Sequence, residues 1–304
     1  MDQGQPPGED SLKAAAEEFE QLRPRLFGIA YRILGSVSEA EDVVQDVWMR
    51  WQDVDRSTVL EPAAFLAKIT TRLAINVAQS ARVRREAYVG PWLPEPVDTS
   101  MDPQVGAERG EALELAVLLV LEKLNPVERA AYVLREAFGY AYDEIANMLR
   151  LTQANTRQIV SRARKRLSAE RREPVDTAQH RRLLDAFVAA ARNGDVAALE
   201  HVLSADAVAY ADGNGMRGVA RVKIVGTERV AMICGSAKKF FPRAEYSVVE
   251  ANGMPGALLT QDGAPVALVS VTVGPDGIDG VYWVLAPEKL RAYQQSAQRL
   301  TGHP

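Results

Sequence analysis

Residues Arg135–Leu167, REAFGYAYDEIANMLRLTQANTRQIVSRARKRL, constrain this chain most. Ile145, Ala146, Met148 and Leu149 fall at helical spacing and predict a short helix over about Tyr142–Leu149. Arg150-Leu151 leaves room only for a turn. Thr152 can cap a following helix by accepting a backbone N–H, and that helix is predicted over about Gln153–Leu167. Ile159, Val160, Ala163 and Leu167 form its expected buried stripe. Gln153, Asn155, Arg157, Gln158, Ser161, Arg162, Arg164 and Lys165 take the other side. A helix that reads DNA needs this division, one face for its scaffold and the other offering donors to phosphates and base edges. From Arg150 to Arg172 there are eight Lys/Arg and one acid, 8 − 1 = +7, in a chain whose net charge is −4. A basic surface helix without a nucleic-acid role is the plain alternative, so the rest of the chain must decide.

Composition sets the bounds. A length of 304 residues allows two or three domains, and an apolar content of 47% is enough for sizeable cores. There is no run of about 18 apolar residues, so no membrane span is expected. The polar, acidic start, MDQGQPPGEDSLK, lacks the regions of a signal peptide; residues 1–11 are expected to be a disordered tail and the chain cytoplasmic. One cysteine, Cys234, excludes an internal disulfide framework, and three scattered histidines, His180, His201 and His303, argue against a metal site. No cofactor is expected.

Residues 12–88 read as a helical domain. Phe19, Leu22, Leu26, Ile29, Ala30 and Ile33 share a face up to Gly35. Ser38 with Glu41 has capping-box spacing for a second helix. There Val43, Val44, Val47 and Trp51 point inward, while Asp42, Gln45, Asp46 and Met49 lie on another side at i, i+3, i+4 and i+7. Acids beside Met49 and Trp48 suggest a docking surface for a basic helix; a solvated face is the other reading. Pro62 opens a third helix with Leu66, Ile69, Leu73 and Val77 as its expected buried stripe. Lys68, Arg72, Asn76 and Gln79 form a polar stripe suited to DNA backbone and base contacts. The loop Asp53–Glu61 before it could border a pocket for an unstacked base.

Two stretches carry a family resemblance. AEDVVQDVWMRW with the basic helix after it resembles region 2 of bacterial RNA polymerase sigma factors of the extracytoplasmic-function type. LNPVERAAYVLREAFGYAYDEIANMLRLTQANTRQIVSRARKRL resembles their region 4. The resemblance covers roughly residues 15–170, with both halves in order. It implies core RNA polymerase and promoter DNA as partners, with Asp42, Gln45, Asp46 and Met49 on the polymerase side. Lys68, Arg72, Asn76 and Gln79 would meet the downstream promoter element, and Gln153–Lys165 the minus-35 element.

Residues 89–107 read as a proline-rich linker, yet Trp92-Leu93-Pro94 is apolar for one and is expected to dock. WLPEP resembles the linker of a sigma subgroup with a SnoaL-like C-terminal extension. Residues 108–172 then hold region 4. Asn125, Pro126 and Glu128 start a helix that ends at Gly139; Ala141 stands where a capping hydroxyl is usual. Residues 173–178 read as a second linker. Residues 179–304 show two helices followed by β-rich runs, VAYADG, RVKIVGTERVAMICGSA, AEYSVVEA, GALLTQDG, APVALVSVTVG and GIDGVYWVLAP, with DG, NG and PG turns. The order resembles the SnoaL-like cone, the nuclear-transport-factor-2-like α+β fold. DGNGMRG, with Asp212, Gly213 and Arg217, resembles the subgroup's regulatory DGGGK loop, and APEKL (Ala286–Leu290) its NPxKL ending.

The expected architecture is therefore multidomain, two all-α sigma domains plus a cone. A cone can also be an isomerase, for which Asp206, Asp212, Tyr210 and Tyr246 would be the players, or a module for a small-molecule ligand. A regulatory module contacting polymerase or, intramolecularly, the sigma domains is the expectation, with no catalytic residue assigned. A one-component helix-turn-helix regulator with a ligand domain stays open beside it.

Overall fold

The computed structural model describes residues 9–100, 114–168 and 176–301. The expected tail lies mostly outside this range, but the first helix, α1 (Glu9–Leu34), already begins inside it. Among the described residues the chain packs as two compact units, one within 1–81 and 124–164, the other within 82–123 and 165–304. Among the described residues, 82–100 and 114–123 thus cluster with the C-terminal part.

The first unit is helical. Gly35 ends α1 with φ 66°, and its N–H donates to the Tyr31 carbonyl at 2.6 Å. α2 (Val37–Asp53) follows at once. Its cap is Ser36, whose hydroxyl accepts from the Glu39 N–H at 3.3 Å, and not the expected Ser38 with Glu41. The tight turn at Gly35 puts Ser36 in extended backbone two residues early (φ −128°, ψ 128°), and helix geometry takes over before Ser38. Val43, Val44, Val47 and Trp51 are buried as expected.

A 3-10 turn, Arg56–Thr58, leads to α3 (Pro62–Glu86). Here the buried stripe differs from expectation. Ala67, Thr70, Thr71, Ala74, Ala78 and Ala81 are buried with Leu66, while Ile69, Leu73 and Val77 are only half-buried. Small residues allow close helix approach. The two threonines satisfy their hydroxyls locally, donating to the Leu66 and Ala67 carbonyls at 2.8 Å each.

After α4 (Leu115–Leu121) come α5 (Pro126–Glu136), α6 (Tyr142–Leu149) and α7 (Gln153–Ser168). Asn125 and Glu128 close the capping box at the start of α5, with N–H to oxygen distances of 2.9 and 3.2 Å. At α6, Ala141 offers no side-chain cap. Half a box survives, because the Glu144 carboxylate accepts from the Ala141 N–H at 2.6 Å.

The second unit holds a six-stranded sheet in the order β2-β1-β6-β5-β4-β3. Its strands are β1 (Leu203–Asp212), β2 (Ile224–Val225), β3 (Glu245–Ala251), β4 (Met254–Gln261), β5 (Ala264–Gly274) and β6 (Gly277–Val284). β1 and β6 run parallel and the other neighbours antiparallel. Two helices precede it, α8 (Thr177–Asn193) and α9 (Val196–Val202). Part of one expected β-rich run is helical instead: RVKIVGTERVAMICGSA contributes only β2, then α10 (Thr227–Gly235) and the short α11 (Ala237–Phe240). Val230, Ala231 and Cys234 are buried at helical spacing, which the β-branched opening of the run obscured.

One sheet face packs on α8, α9 and α10 through Leu184, Phe187, Leu199, Val230, Val269, Val281 and Trp283. The opposite face carries Leu268, Tyr282 and Val284. It is covered by Leu93, by Leu115 of α4, and by Leu290 and Tyr293 of the last helix, α12 (Pro287–Thr301). Among the described residues no helix is long and apolar enough to cross a membrane.

Candidate nucleic-acid and polymerase interfaces

The helix-turn-helix is assembled by local geometry. Arg150 ends α6 in the left-handed region (φ 57°, ψ 45°). The Leu151 N–H donates to the Ala146 carbonyl at 2.9 Å, closing a turn of three residues. Thr152 caps α7, accepting from the Asn155 N–H at 3.2 Å. α7 buries Thr156, Val160, Ala163 and Leu167. Thr156 takes the place expected for Ile159, which is half-buried. Its hydroxyl donates to the Thr152 carbonyl at 3.0 Å, which is how a polar side chain fits a dry stripe.

Gln153, Asn155, Arg157, Gln158, Ser161, Arg162, Arg164 and Lys165 are exposed. They are not equivalent. Arg164 lies against Glu136 of α5, donating from Nε and Nη2 to one carboxylate oxygen at 3.1 and 2.7 Å. The same hydrogen bond holds its pKa above the ordinary arginine value. Arg164 therefore braces α7 on α5. Arg157 sits over the Tyr142 ring at 5.5 Å, with Arg135 at 4.7 Å from the same ring.

On α2, Asp42, Gln45, Asp46 and Met49 are all exposed, Met49 to 48%. Trp48 is half-buried against Phe19, ring centroids 5.1 Å apart, so it does not share that exposure. On α3, Asn76 and Gln79 are exposed. Lys68 and Arg72 are not open donors. Lys68 Nζ donates to Asn147 Oδ1 at 2.8 Å, and Arg72 donates from Nε to the Met148 carbonyl at 2.9 Å and from Nη2 to the Asn147 carbonyl at 3.4 Å. Loss of solvent lowers the Arg72 pKa, and Arg150 nearby adds to it.

In the second unit Trp92, Leu93 and Asp212, three of the expected regulatory residues, meet at a buried charge pair. Asp212 Oδ2 accepts from the Leu93 N–H at 2.8 Å and from Lys289 Nζ at 2.6 Å. Lys289 also donates to the Leu93 carbonyl, and the Tyr88 hydroxyl to Asp212 Oδ1. Burial lowers the Lys289 pKa, and Asp212 opposes that shift. Trp92 lies between two cations, Arg85 at 3.6 Å and Lys289 at 4.4 Å from its ring centroid, and Arg85 pairs with Glu122. Leu93 and Pro94 are buried. Further along, Val97 and Asn252 exchange bonds, the Val97 N–H to Oδ1 at 3.2 Å and the Asn252 N–H to the Val97 carbonyl at 2.8 Å. Residues 88–99 are thus a fastened strap and not a loose linker. Gly213 is buried where a Cβ would stand 3.1 Å from Met216 and Val219. Arg217 is exposed and stands apart from the cluster; the basic partner of Asp212 is Lys289 of the APEKL segment.

The residues considered for an isomerase do not gather. Asp212 belongs to the charge pair, Tyr210 stacks on Tyr282 at 5.7 Å, Tyr246 packs with the opposite core, and Asp206 is exposed.

Comparison with known proteins agrees with this geometry. The family model described as Sigma-70 region 2 matches residues 19–86, and that described as Sigma-70, region 4 matches 114–167. The chain is 35% identical over 278 residues to the ECF RNA polymerase sigma factor SigJ of Mycobacterium tuberculosis, covering 89% of this chain and 84% of that protein. It is 32% identical over 212 residues to the probable ECF RNA polymerase sigma factor SigI of the same species, covering 68% and 71%. The crystal structure of M. tuberculosis SigJ superposes with a TM-score of 0.73 at 29% identity, covering 91% of this chain and 98% of that one. The chain belongs to the extracytoplasmic-function sigma factors of RNA polymerase. Within that family it is SigJ-like, with helical regions 2 and 4 followed by a SnoaL-like α+β domain.

Proposed function

We propose that this sigma factor binds core RNA polymerase through the exposed α2 face and directs it to promoters by placing α7 in the major groove of the minus-35 element. Asp42, Gln45 and Asp46 offer acids and an amide to a basic partner helix, with Met49 as the apolar contact. Arg157, Gln158, Ser161 and Arg162 are the base and phosphate readers, flanked by Gln153, Asn155 and Lys165. Asn76 and Gln79, with Lys68 and Arg72, meet the downstream element. The observation that carries this reading is the α6–α7 turn, whose left-handed Arg150 and Thr152 cap set a helix with one dry face and one basic, exposed face.

The SnoaL-like domain tunes activity through the strap that Asp212 and Lys289 hold. No covalent chemistry is needed of it, and the scatter of Asp206, Asp212, Tyr210 and Tyr246 supports a binding role over an enzymatic one. The reaction belongs to polymerase, so the protein works where polymerase is, in the cytoplasm.

Run-off transcription with core polymerase tests the reading, on templates selected by genomic binding. Wild type should give specific transcripts, Asp46→Arg should give none and fail to retain core polymerase, and Arg162→Ala should weaken promoter binding on every sequence. Retention of core polymerase by Asp46→Arg at the wild-type level would remove the α2 assignment.

A further inference from the structure

Charge in the second unit is uneven. Met216–Arg243 carries seven Lys/Arg and one acid, 7 − 1 = +6, in a chain whose net charge is −4. All seven cations are exposed, and so are Met216, Val222 and Phe240, the last to 54%. The cations are not equivalent. Lys223 lies over the Tyr210 ring, Lys238 donates to the Asn193 carbonyl at 3.1 Å, and Arg243 faces Asp262 at 3.6 Å. Arg217, Arg221, Arg229 and Lys239 face no carboxylate among the described residues. Three of these four come together around a small loop. The Gly215 N–H donates to the Val89 carbonyl at 3.1 Å, and a Cβ on Gly90 would stand 3.5 Å from the Arg221 Cα. Between those two anchors Gly218, at φ 87°, backs onto the Phe240 ring, where a Cβ would come within 2.9 Å. Arg217 adjoins Gly218 and Lys239 adjoins Phe240, so two unpaired cations sit beside one exposed ring, with Arg221 three residues along the loop. Glu288 reaches this loop at Asn214, whose amide donates to it at 3.2 Å.

An exposed ring backed by glycine and set among unpaired cations suits one kind of partner. Single-stranded nucleic acid binds where cations track its backbone and aromatic rings stack its bases. A duplex offers the phosphates but hides its base faces. An acidic protein surface offers charge without a planar face for the ring. We propose that Arg217, Arg221, Lys239 and Phe240 form a site for single-stranded DNA on the SnoaL-like domain, the cations holding phosphates and Phe240 stacking a base. Its place in the chain fits that partner. Val89 and Gly90, which anchor the loop, follow the end of α3 by three and four residues, and α3 is the helix read above as meeting the downstream element. The inference goes beyond the function proposed above, because the SnoaL-like domain then holds DNA itself and is not confined to acting on the strap.

The probe is fluorescein-labelled oligo(dT) of about twenty nucleotides, long enough to span a site of this kind. It is titrated by anisotropy against the full chain at several salt concentrations, with a duplex hairpin beside it. The parent chain carries Arg157→Ala and Arg162→Ala, which quiet the α7 readers. Adding Arg217→Ala, Arg221→Ala and Lys239→Ala should flatten log K against log salt by about 2, three phosphates at ~0.7 each for a single strand. Phe240→Ala should weaken binding about fivefold or more, the low end of one lost base stack, with the salt slope unchanged. Phe240→Trp should retain the affinity, and its added indole emission should be quenched when oligo(dT) binds. Arg243→Ala removes an equally exposed cation that already faces Asp262, and should leave slope and affinity at the parent level. A loss with Arg243→Ala as large as that from each of the three cations alone means diffuse charge and overturns the site. Equal losses on the duplex, with Phe240→Ala silent, overturn the single-strand assignment. Unchanged binding of both probes by the triple alanine variant overturns the site outright, and weaker retention of core polymerase by that variant would then give the surface to a protein partner.

Discussion

Lys289 and Arg72 each hold a distant backbone carbonyl with a cation, and the two contacts differ in burial. Lys289 grips the Leu93 carbonyl beside Asp212 with both charged residues essentially dry, 3% and 0% exposed. Arg72 grips the Met148 carbonyl with part of its side chain in water, and its neighbour Lys68 reaches Asn147 at the surface. A buried charge that loses its partner keeps its full desolvation cost, so the strap of residues 88–99 is a lasting fixture. A half-exposed donor can trade one oxygen for another at little cost, be it a carbonyl, a water or a phosphate. Burial thus separates a fastening from a switch, although the chemistry of donor and acceptor is nearly the same.

The largest expected effect tests the fixture. Lys289→Met leaves Asp212 buried without its cation and should cost ~3–5 kcal/mol in urea unfolding. Adding Asp212→Leu should recover much of that loss, because a dry apolar pair carries no desolvation cost. If Lys289→Met alone is neutral, the pair is not a fastening and the contrast collapses. Next comes the reading face of α7. Arg162→Ala should weaken promoter binding about tenfold, ~1.4 kcal/mol, measured by anisotropy with holoenzyme. Arg164→Ala should act differently, through its brace to Glu136. It is half-exposed, so the stability cost should stay within ~1 kcal/mol, and Glu136→Gln should reproduce both that cost and its effect on DNA binding. Equal losses from Arg164→Ala alone, with Glu136→Gln silent, would return Arg164 to the DNA contacts.

The smallest effect concerns pH. His180 is buried with Nε2 on the Val271 carbonyl at 3.0 Å, and burial holds its pKa below the usual 6.5. A depressed folded pKa means the unfolded chain binds the extra proton first. The stability present above about pH 6.5 is therefore lost as pH falls through that value. Thermal unfolding followed between pH 7.5 and 5.5 should show the decline, and His180→Gln should flatten it.

Much was legible from short-range signals. The Asn125–Glu128 box, the Thr152 cap and the bounds of α6 all rest on contacts three or four residues apart, which a string of letters displays directly. Even locally, competition between close alternatives decided details. Ser36 capped α2 in place of Ser38 because the chain turned at Gly35, and Thr156 entered the dry stripe because its hydroxyl could bond back to Thr152. Threonine reads as polar until its local acceptor is known.

Local signals along the chain carried most of the helices and turns of regions 2 and 4, the basic face of α7 and the acidic face of α2. These follow from periodicity, capping and charge along one helix. Which of those charges are already in use was settled by long-range packing. Lys68 and Arg72 meet a partner about eighty residues away, and Lys289 meets Leu93 across 196. Such pairs form because packing brings helix-end carbonyls and strap backbone beside a cation. No spacing rule encodes that meeting, since the separation along the chain is set by everything folded in between.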